Sequence, residues 1–334
     1  MNIPGTYRRR LARPGTALAA LAVCGSMLAG CGLTSGSPMV DAVQPGTVGR
    51  GQPLKGAKLT VTSKQFTEQI ILGQIMGLAF KAAGAEVLDR TNIQGSIGSR
   101  EAVRTGAADG GYEYTGTGWI TYLGRSKPIA DPRKQWEAVR DADRKNGVDW
   151  LPPSKLDNTY ALAVNPKYAE KYGLKTVSDV GRLLKENPKA ATLCVESEFA
   201  VRDDGLPGLE KKYGFKFPSR NLKKMDSGIV YTQVSRGRAC TLGEVFTTDG
   251  RIPELKLKVL EDDRKFFPNY NASPMINAKT LEKYPQIRQV LAPITEKLTT
   301  GLAQRLNAKV DVEGQDPHEV AKDWMVEEGF IKED

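Results

Sequence analysis

From residue 58 onward, apolar residues follow two alternating rhythms. Short apolar runs predict strands at 59–62, 86–88, 109–112 and 148–151. Between them, apolar positions recur at three- to four-residue spacing and predict helices at 67–83, 99–105 and 132–145. In the first helix Ile70, Ile71, Ile75, Leu78 and Ala82 share one face, as the 3.6-residue period requires. The sequence Trp150-Leu151-Pro152-Pro153-Ser154 ends this series. A second begins with the strand 159–164, then a helix capped by Ser178 and running to about 186, and a strand at 193. Helices at 204–213 and 229–236, a strand at 255–260, and two helices at 285–298 and 317–328 complete it. Strand and helix in regular succession is βαβ logic, and about 300 residues is near the size at which one core divides into two.

The first 30 residues follow neither rhythm. Arg8, Arg9, Arg10 and Arg13 precede an apolar run at 17–29 interrupted only by Gly25 and Ser26. A bilayer-spanning helix needs about 20 residues, so the run reads as a secretory signal and not an anchor. Leu28-Ala29-Gly30-Cys31 resembles the bacterial lipobox, which implies cleavage after residue 30 and a lipid on Cys31. A plain signal peptide is the alternative, and Arg8-Arg9 leaves open export by Sec or twin-arginine routes. Residues 31–56 are rich in Gly, Ser, Pro and Thr and read as a flexible tether of roughly 25 to 30 Å root-mean-square span. The formal charge of +9 falls to +5 once the four signal arginines are removed, so the basic excess is largely a targeting feature.

Of four cysteines, Cys24 leaves with the signal and Cys31 is capped. Cys194 and Cys240 remain, each in a strand-like run, and in an oxidising compartment they form a candidate disulfide. Two buried free thiols are the alternative.

Composition narrows the chemistry. The single histidine, His318, sits in Asp316-Pro317-His318-Glu319, the start of a helix. No histidine cluster can therefore hold a metal, and any Ser/His/Asp device would depend on that one residue. Gly95-Ser96-Ile97-Gly98 and Gly116-Thr117-Gly118 match neither the dinucleotide nor the P-loop pattern. Asp262-Asp263 and Glu327-Glu328 lie in charge-rich surroundings typical of solvated surface. Basic residues are interspersed with acids, which argues against nucleic-acid binding.

Aromatic residues stand where strands meet loops: Tyr112-Glu113-Tyr114, Asn158-Thr159-Tyr160, Glu244-Val245-Phe246 and Phe266-Phe267-Pro268-Asn269-Tyr270. In α/β folds ligands bind beyond the carboxyl ends of strands, so these rings can converge on one ligand or serve ordinary packing. Five ordered motifs carry a specific resemblance. They are Ser63-Lys64-Gln65-Phe66-Thr67-Glu68-Gln69, Glu113-Tyr114-Thr115-Gly116-Thr117, Asn158-Thr159-Tyr160-Ala161-Leu162-Ala163-Val164, Thr248-Asp249-Gly250-Arg251-Ile252 and Phe266-Phe267-Pro268-Asn269-Tyr270. Together they resemble the substrate-binding proteins of ABC importers for glycine betaine, choline and related quaternary amines.

The resemblance implies an α/β, type II periplasmic-binding-protein fold: two lobes, a two-strand hinge, and ligand in the cleft. Lobe 1 would comprise 57–158 and 270–334, and lobe 2 the continuous middle, 159–269. Tyr114, Tyr160 and Tyr270 would wall an aromatic cage, with Phe246 where the family commonly has tyrosine. Lys64, Thr117 and Arg202 resemble the family's carboxylate ligands, and Gln69 is placed at the same polar end. Position 117 is threonine and not an acid, and Lys64 and Arg202, if unneutralised, would repel choline. That favours a zwitterion such as glycine betaine. Gly110-Gly111 departs from the pattern, because larger apolar residues are expected before Tyr112.

The resulting expectation is a lipid-anchored, extracytoplasmic binding protein, not an enzyme. It would need neither cofactor nor metal, would deliver a compatible solute to separate permease and ATPase subunits for osmoprotection, and would not bind nucleic acid. Choline, carnitine or ergothioneine as ligand, a solute sensor, and an extracellular enzyme are the alternatives.

Overall fold

The computed structural model describes residues 36–39, 43–125, 127 and 129–333. The signal at 1–30 and the lipidation at Cys31 lie outside them. Two sheets organise the chain. The first has six strands in the spatial order Ser37–Pro38, Glu86–Ile93, Lys58–Lys64, Gly110–Tyr114, Ala272–Asn277 and Val148–Trp150. Lys58–Lys64 runs parallel to both its neighbours, as βα crossovers require. Ala272–Asn277 returns antiparallel between Gly110–Tyr114 and Val148–Trp150. The second sheet has five strands in the order Lys258–Val259, Tyr160–Val164, Leu242–Phe246, Leu193–Val195 and Leu222–Lys224.

The predicted helix at 67–83 is found as Thr67–Ala82, and it is buried nearly all round. It packs between the first sheet and the helix Pro317–Glu327, so an apolar stripe alone understates its burial. His318 occupies the first turn of that last helix: its N–H donates to the capping Asp316 at 2.8 Å, and its Nδ1 lies 2.8 Å from Gln74 Oε1. The helix assigned to a Ser178 cap runs Val177–Glu186 with Thr176 as its cap. The Thr176 N–H donates to Asp179, while the Ser178 hydroxyl turns to Asp263.

Two segments cross between the sheets, one after Trp150 and one before Ala272, and they lie side by side. Asp157 bridges antiparallel to Asn271, the Asn158 N–H donates to Tyr270 O at 3.1 Å, and the Ala272 N–H donates to Leu156 O at 3.0 Å. The lobes are thus joined by a paired two-strand hinge.

Three expectations are changed or explained. Residues 43–56 are not a free tether: Val43–Pro45 pairs with Ile331–Glu333, and Val48 and Leu54 are buried in the core. Met39 also docks, its N–H donating to Val87 O at 3.0 Å. Isolated apolar anchors among turns carry no periodicity, so composition alone hid this docking. Gly110 and Gly111 are small because neighbouring chain passes close by. A Cβ at Gly110 would sit 2.5 Å from Ile276 Cδ1, and one at Gly111 2.5 Å from the Thr62 carbonyl oxygen. Cys194 and Cys240 are joined as a disulfide, with Cα atoms 5.6 Å apart. The strands they flank are parallel neighbours, with Leu242 opposite Leu193.

Candidate functional site

Strand ends place the side chains. Lys64 closes one strand and Tyr114 another in the first sheet, while Phe246 closes a strand of the second. Tyr160 opens the strand paired with it, with Phe246 directly opposite. Tyr270 arrives on the hinge, two residues before the strand whose Ala272 faces Tyr114. These segments line a cavity between the sheets.

Its wall is dominated by rings. Tyr160 lies 5.1 Å from Phe246 and meets Tyr270 edge-on at 5.3 Å. A fifth ring, Phe66, stacks at 5.0 Å on Phe246 and at 6.3 Å on Tyr114. It belongs to the first motif, where only its neighbours were assigned a role; its place at the start of the helix Thr67–Ala82 aims it into the cleft. Hydroxyls fix two of the rings from behind. The Tyr114 O–H donates to Glu68 at 2.7 Å, and the Tyr270 O–H donates to Asp204 at 2.8 Å. Gly116 permits the second placement, since a Cβ there would come within 2.7 Å of the Tyr270 ring.

The polar residues divide between wall and interior. Lys64 and Thr117 reach the cavity, whereas Arg202 and Gln69 are not among its lining residues. Gln69 is buried behind it, its Oε1 accepting the Lys64 backbone N–H at 3.2 Å. Lys64 Nζ lies 2.7 Å from Glu113 and 4.7 Å from the Tyr114 ring centre. Arg202 grips Asp204 with two bonds, at 2.7 and 2.5 Å, and reaches Thr117, Ser96 and Glu198 at 3.4 Å. Neither cation stands unneutralised, which corrects the expectation that they repel choline. Burying an unpaired ammonium or guanidinium costs several kcal/mol, so a buried one brings its carboxylate with it. Charge repulsion therefore does not separate choline from glycine betaine here.

Carboxylates were the features missed. Glu196 and Glu198 follow the strand Leu193–Val195 and line the cavity. Burial opposes the charge on Glu198, but the Ser96 N–H and hydroxyl, with Lys64 and Arg202 nearby, hold it below the usual carboxylate range. Burial pushes the Glu196 carboxyl up against bonds from the backbone N–H groups of Glu198, Ser197 and Phe199. Burial likewise raises Glu68 beneath Tyr114, against bonds from Thr248, Tyr114, Asn307 and Asn158. Glu244 stands two residues before Phe246 on the same strand, hence on the same face. That spacing was the available signal. Its Oε2 accepts the Glu196 N–H at 3.1 Å, and its buried Oε1 has no partner among the described residues.

Burial, with Glu196 and Asp249 adding to it, pushes the Glu244 carboxyl up to about 8 from its ordinary 4.5. The folded state then keeps a proton that the unfolded state loses, so this group's contribution is complete below about 4.5 and lost as pH rises to about 8. Glu244→Gln copies the neutral acid. It is expected to match the parent protein at about pH 5 and to exceed it in stability at about pH 9, by roughly 1 to 4 kcal/mol. Urea denaturation at both pH values checks this, and an unchanged pH dependence in the variant refutes it.

Comparison with known proteins places this geometry. Residues 57–327 match the family described as the substrate binding domain of the ABC-type glycine betaine transport system. A glycine-betaine-binding protein of Pseudomonas aeruginosa is 36% identical over 278 residues, covering 82% of this chain and 88% of that protein. An ergothioneine transport permease/ergothioneine binding protein of Helicobacter pylori is 34% identical, covering 80% of this chain and 47% of that longer protein. Among solved structures, a glycine betaine/carnitine/choline ABC transporter protein superposes with TM-score 0.65 at 29% identity, covering 81% of this chain and 99% of the other.

Proposed function

The chain belongs to the family of substrate-binding domains of ABC-type glycine betaine transport systems, and from that premise we propose that it captures a trimethylammonium solute of the betaine class and hands it to a permease and its ATPase. The family acts in transport outside the cytoplasm. No helix among the described residues is long and apolar enough to cross a membrane. In this reading the signal at 1–30 is removed and a lipid on Cys31 holds the body at the membrane face. Lobe 1, 57–158 with 270–334, closes on lobe 2, 159–269, about the paired hinge, and the permease reads closure.

The observation that carries this is the convergence of Phe66, Tyr114, Tyr160, Phe246 and Tyr270 on one cavity from both sheets and the hinge. A trimethylammonium group has no N–H, so hydrogen bonds cannot hold it, whereas ring faces attract its charge by about 0.5 to 2 kcal/mol each. Lys64 Nζ on the cavity wall, with N–H directions beyond the one given to Glu113, suits the carboxylate end.

A thermal-shift panel tests the reading. Glycine betaine at 100 times its dissociation constant is expected to stabilise the protein by about 2.7 kcal/mol. Phe246→Leu is expected to weaken binding roughly 2- to 30-fold, the value of one ring face. Absence of a shift with glycine betaine, choline, carnitine and ergothioneine refutes it. Recovery of the ligand unchanged after incubation separates capture from catalysis.

A further inference from the structure

Two rings of the cavity wall give their hydroxyls to carboxylates. The Tyr270 O–H donates to Asp204, and the Tyr114 O–H donates to Glu68. The two acids differ in their surroundings. Asp204 is neutralised by Arg202, whereas Glu68, only 4% exposed, has no ion-pair partner among the described residues. The nearby cations are already taken: Lys64 by Glu113 at 2.7 Å, and Arg251 by Asp249, with Asp311 at 3.4 Å. Of the carboxylates on the cavity wall, Glu198 has Lys64 and Arg202 nearby, and Glu196 is bonded by three backbone N–H groups. Glu68 is thus the carboxylate that holds a ring of the wall and has no base of its own.

Neutral donors surround it. Oε1 accepts from the Tyr114 hydroxyl at 2.7 Å and the Asn158 amide at 2.9 Å, Oε2 accepts from the Asn307 amide at 3.1 Å, and the Thr248 side chain bonds it as well. Both amides turn their N–H groups to Glu68 and leave their own Oδ1 atoms buried without a partner among the described residues. A protonated acid would have an O–H to offer one of those oxygens, whereas an ionised carboxylate only accepts. Its place in the first turn of the helix Thr67–Ala82 also favours a negative charge. Burial opposes that charge and raises the carboxyl against the four bonds, so the site lacks one positive charge. A phenol that donates to a carboxylate gains electron density on its ring, and a ring attracts a cation electrostatically. A cation against Tyr114 therefore supplies what Glu68 lacks.

We propose that Glu68 is a specificity-determining residue: bonded to the Tyr114 hydroxyl, it is the counter-charge that makes the ring wall select a cation over an uncharged group of the same shape. This rests on the trimethylammonium reading above and adds to it a residue that does not line the ring-walled cavity itself. The ring faces fit any methylated head of the right size, and Glu68 sets how strongly its charge counts.

Titration calorimetry on the full-length chain tests this with two probes. Glycine betaine and 3,3-dimethylbutanoate, in which carbon replaces the quaternary nitrogen, share shape and carboxylate and differ by one charge. The parent protein is expected to bind glycine betaine about thirtyfold or more tighter. Glu68→Gln is expected to cut that ratio roughly tenfold, the effect of one charge acting across a ring at an effective dielectric constant of about 20. The uncharged-head probe is expected to bind the variant as well as the parent, or better, since its carboxylate no longer faces a second one. Glutamine keeps the shape: its oxygen accepts from Tyr114 and Asn158, and its N–H suits the unpartnered Asn307 Oδ1 once that amide turns over. Tyr114→Phe keeps the ring and breaks its bond to Glu68, and is expected to cut the ratio about threefold or more; it decides the matter if Glu68→Gln does not fold. A ratio unchanged in either folded variant overturns this inference and leaves the transport reading standing. Equal weakening of both probes also overturns it, because a residue that merely braces the helix would act that way. A parent protein that binds both probes equally, or neither, overturns both readings.

Discussion

Replacing Arg202 by methionine is expected to destabilise the folded protein by about 3 to 5 kcal/mol, because it strands a buried carboxylate. Asp204 has a side-chain exposure of 0%, and Arg202 supplies it with two close bonds. The Tyr270 hydroxyl remains as a donor to Asp204, but it carries no charge. The same guanidinium reaches Thr117 and Ser96, which belong to segments around the first sheet, from a loop of the second. Loss of Arg202 therefore also removes contacts across the cleft, and ligand affinity is expected to fall although Arg202 is not on the cavity wall. Urea denaturation with and without ligand measures both effects. The double replacement Arg202→Met with Asp204→Leu is expected to recover much of the stability, since an apolar pair can replace a buried ion pair at little cost. A single-variant loss below about 1 kcal/mol, the value of an exposed pair, refutes the buried-pair account.

The second large effect concerns the Cys194–Cys240 disulfide. Its loop spans 46 residues, and the chain-entropy treatment assigns a closure of this length about 4 kcal/mol at 25 °C. Cys194→Ala with Cys240→Ala is expected to lower stability by that order. Both residues are fully buried, in a cluster with Val230, Tyr231 and Val234, so trimming two sulfurs adds a smaller packing loss. Denaturation of the parent protein with and without reductant, beside the double variant, checks it. Reduction that leaves the midpoint unmoved refutes it.

Much of the architecture was legible because it rests on local rhythm. Spacing predicts a helix at 67–83 and strands at 59–62, 109–112 and 159–164, and the structure has Thr67–Ala82, Lys58–Lys64, Gly110–Tyr114 and Tyr160–Val164 there. The aromatic residues stood out at strand ends, where α/β sheets deliver side chains to a ligand, but their reading as a cage and not as ordinary packing came from the family resemblance of the five motifs. Phe246 and Tyr160 were each identified from their own segments, and sheet register then set them opposite one another.

Other features had no local signature. The docking of 43–56 rests on a pairing with 331–333 at the far end of the chain. Lys64 and Glu113 are 49 residues apart and meet through the parallel packing of neighbouring strands. Asp204 is only two residues from Arg202, yet nothing in the sequence marks it as buried while Asp203 is exposed. Phe66 sits in a motif already singled out, but its stacking on Phe246 needs the two sheets to face each other.

The sequence by itself determined the order of elements, the ring types available to a ligand, and the two cysteines able to bond. Periodicity and composition are properties of neighbours in the chain, and local sterics and hydrophobicity act on them directly. Tertiary structure alone decided the charge state of the site. It set a carboxylate against each buried cation and placed Glu68 behind the Tyr114 ring. Desolvation enforces that pairing, and it acts only once residues far apart in sequence have been folded out of water together.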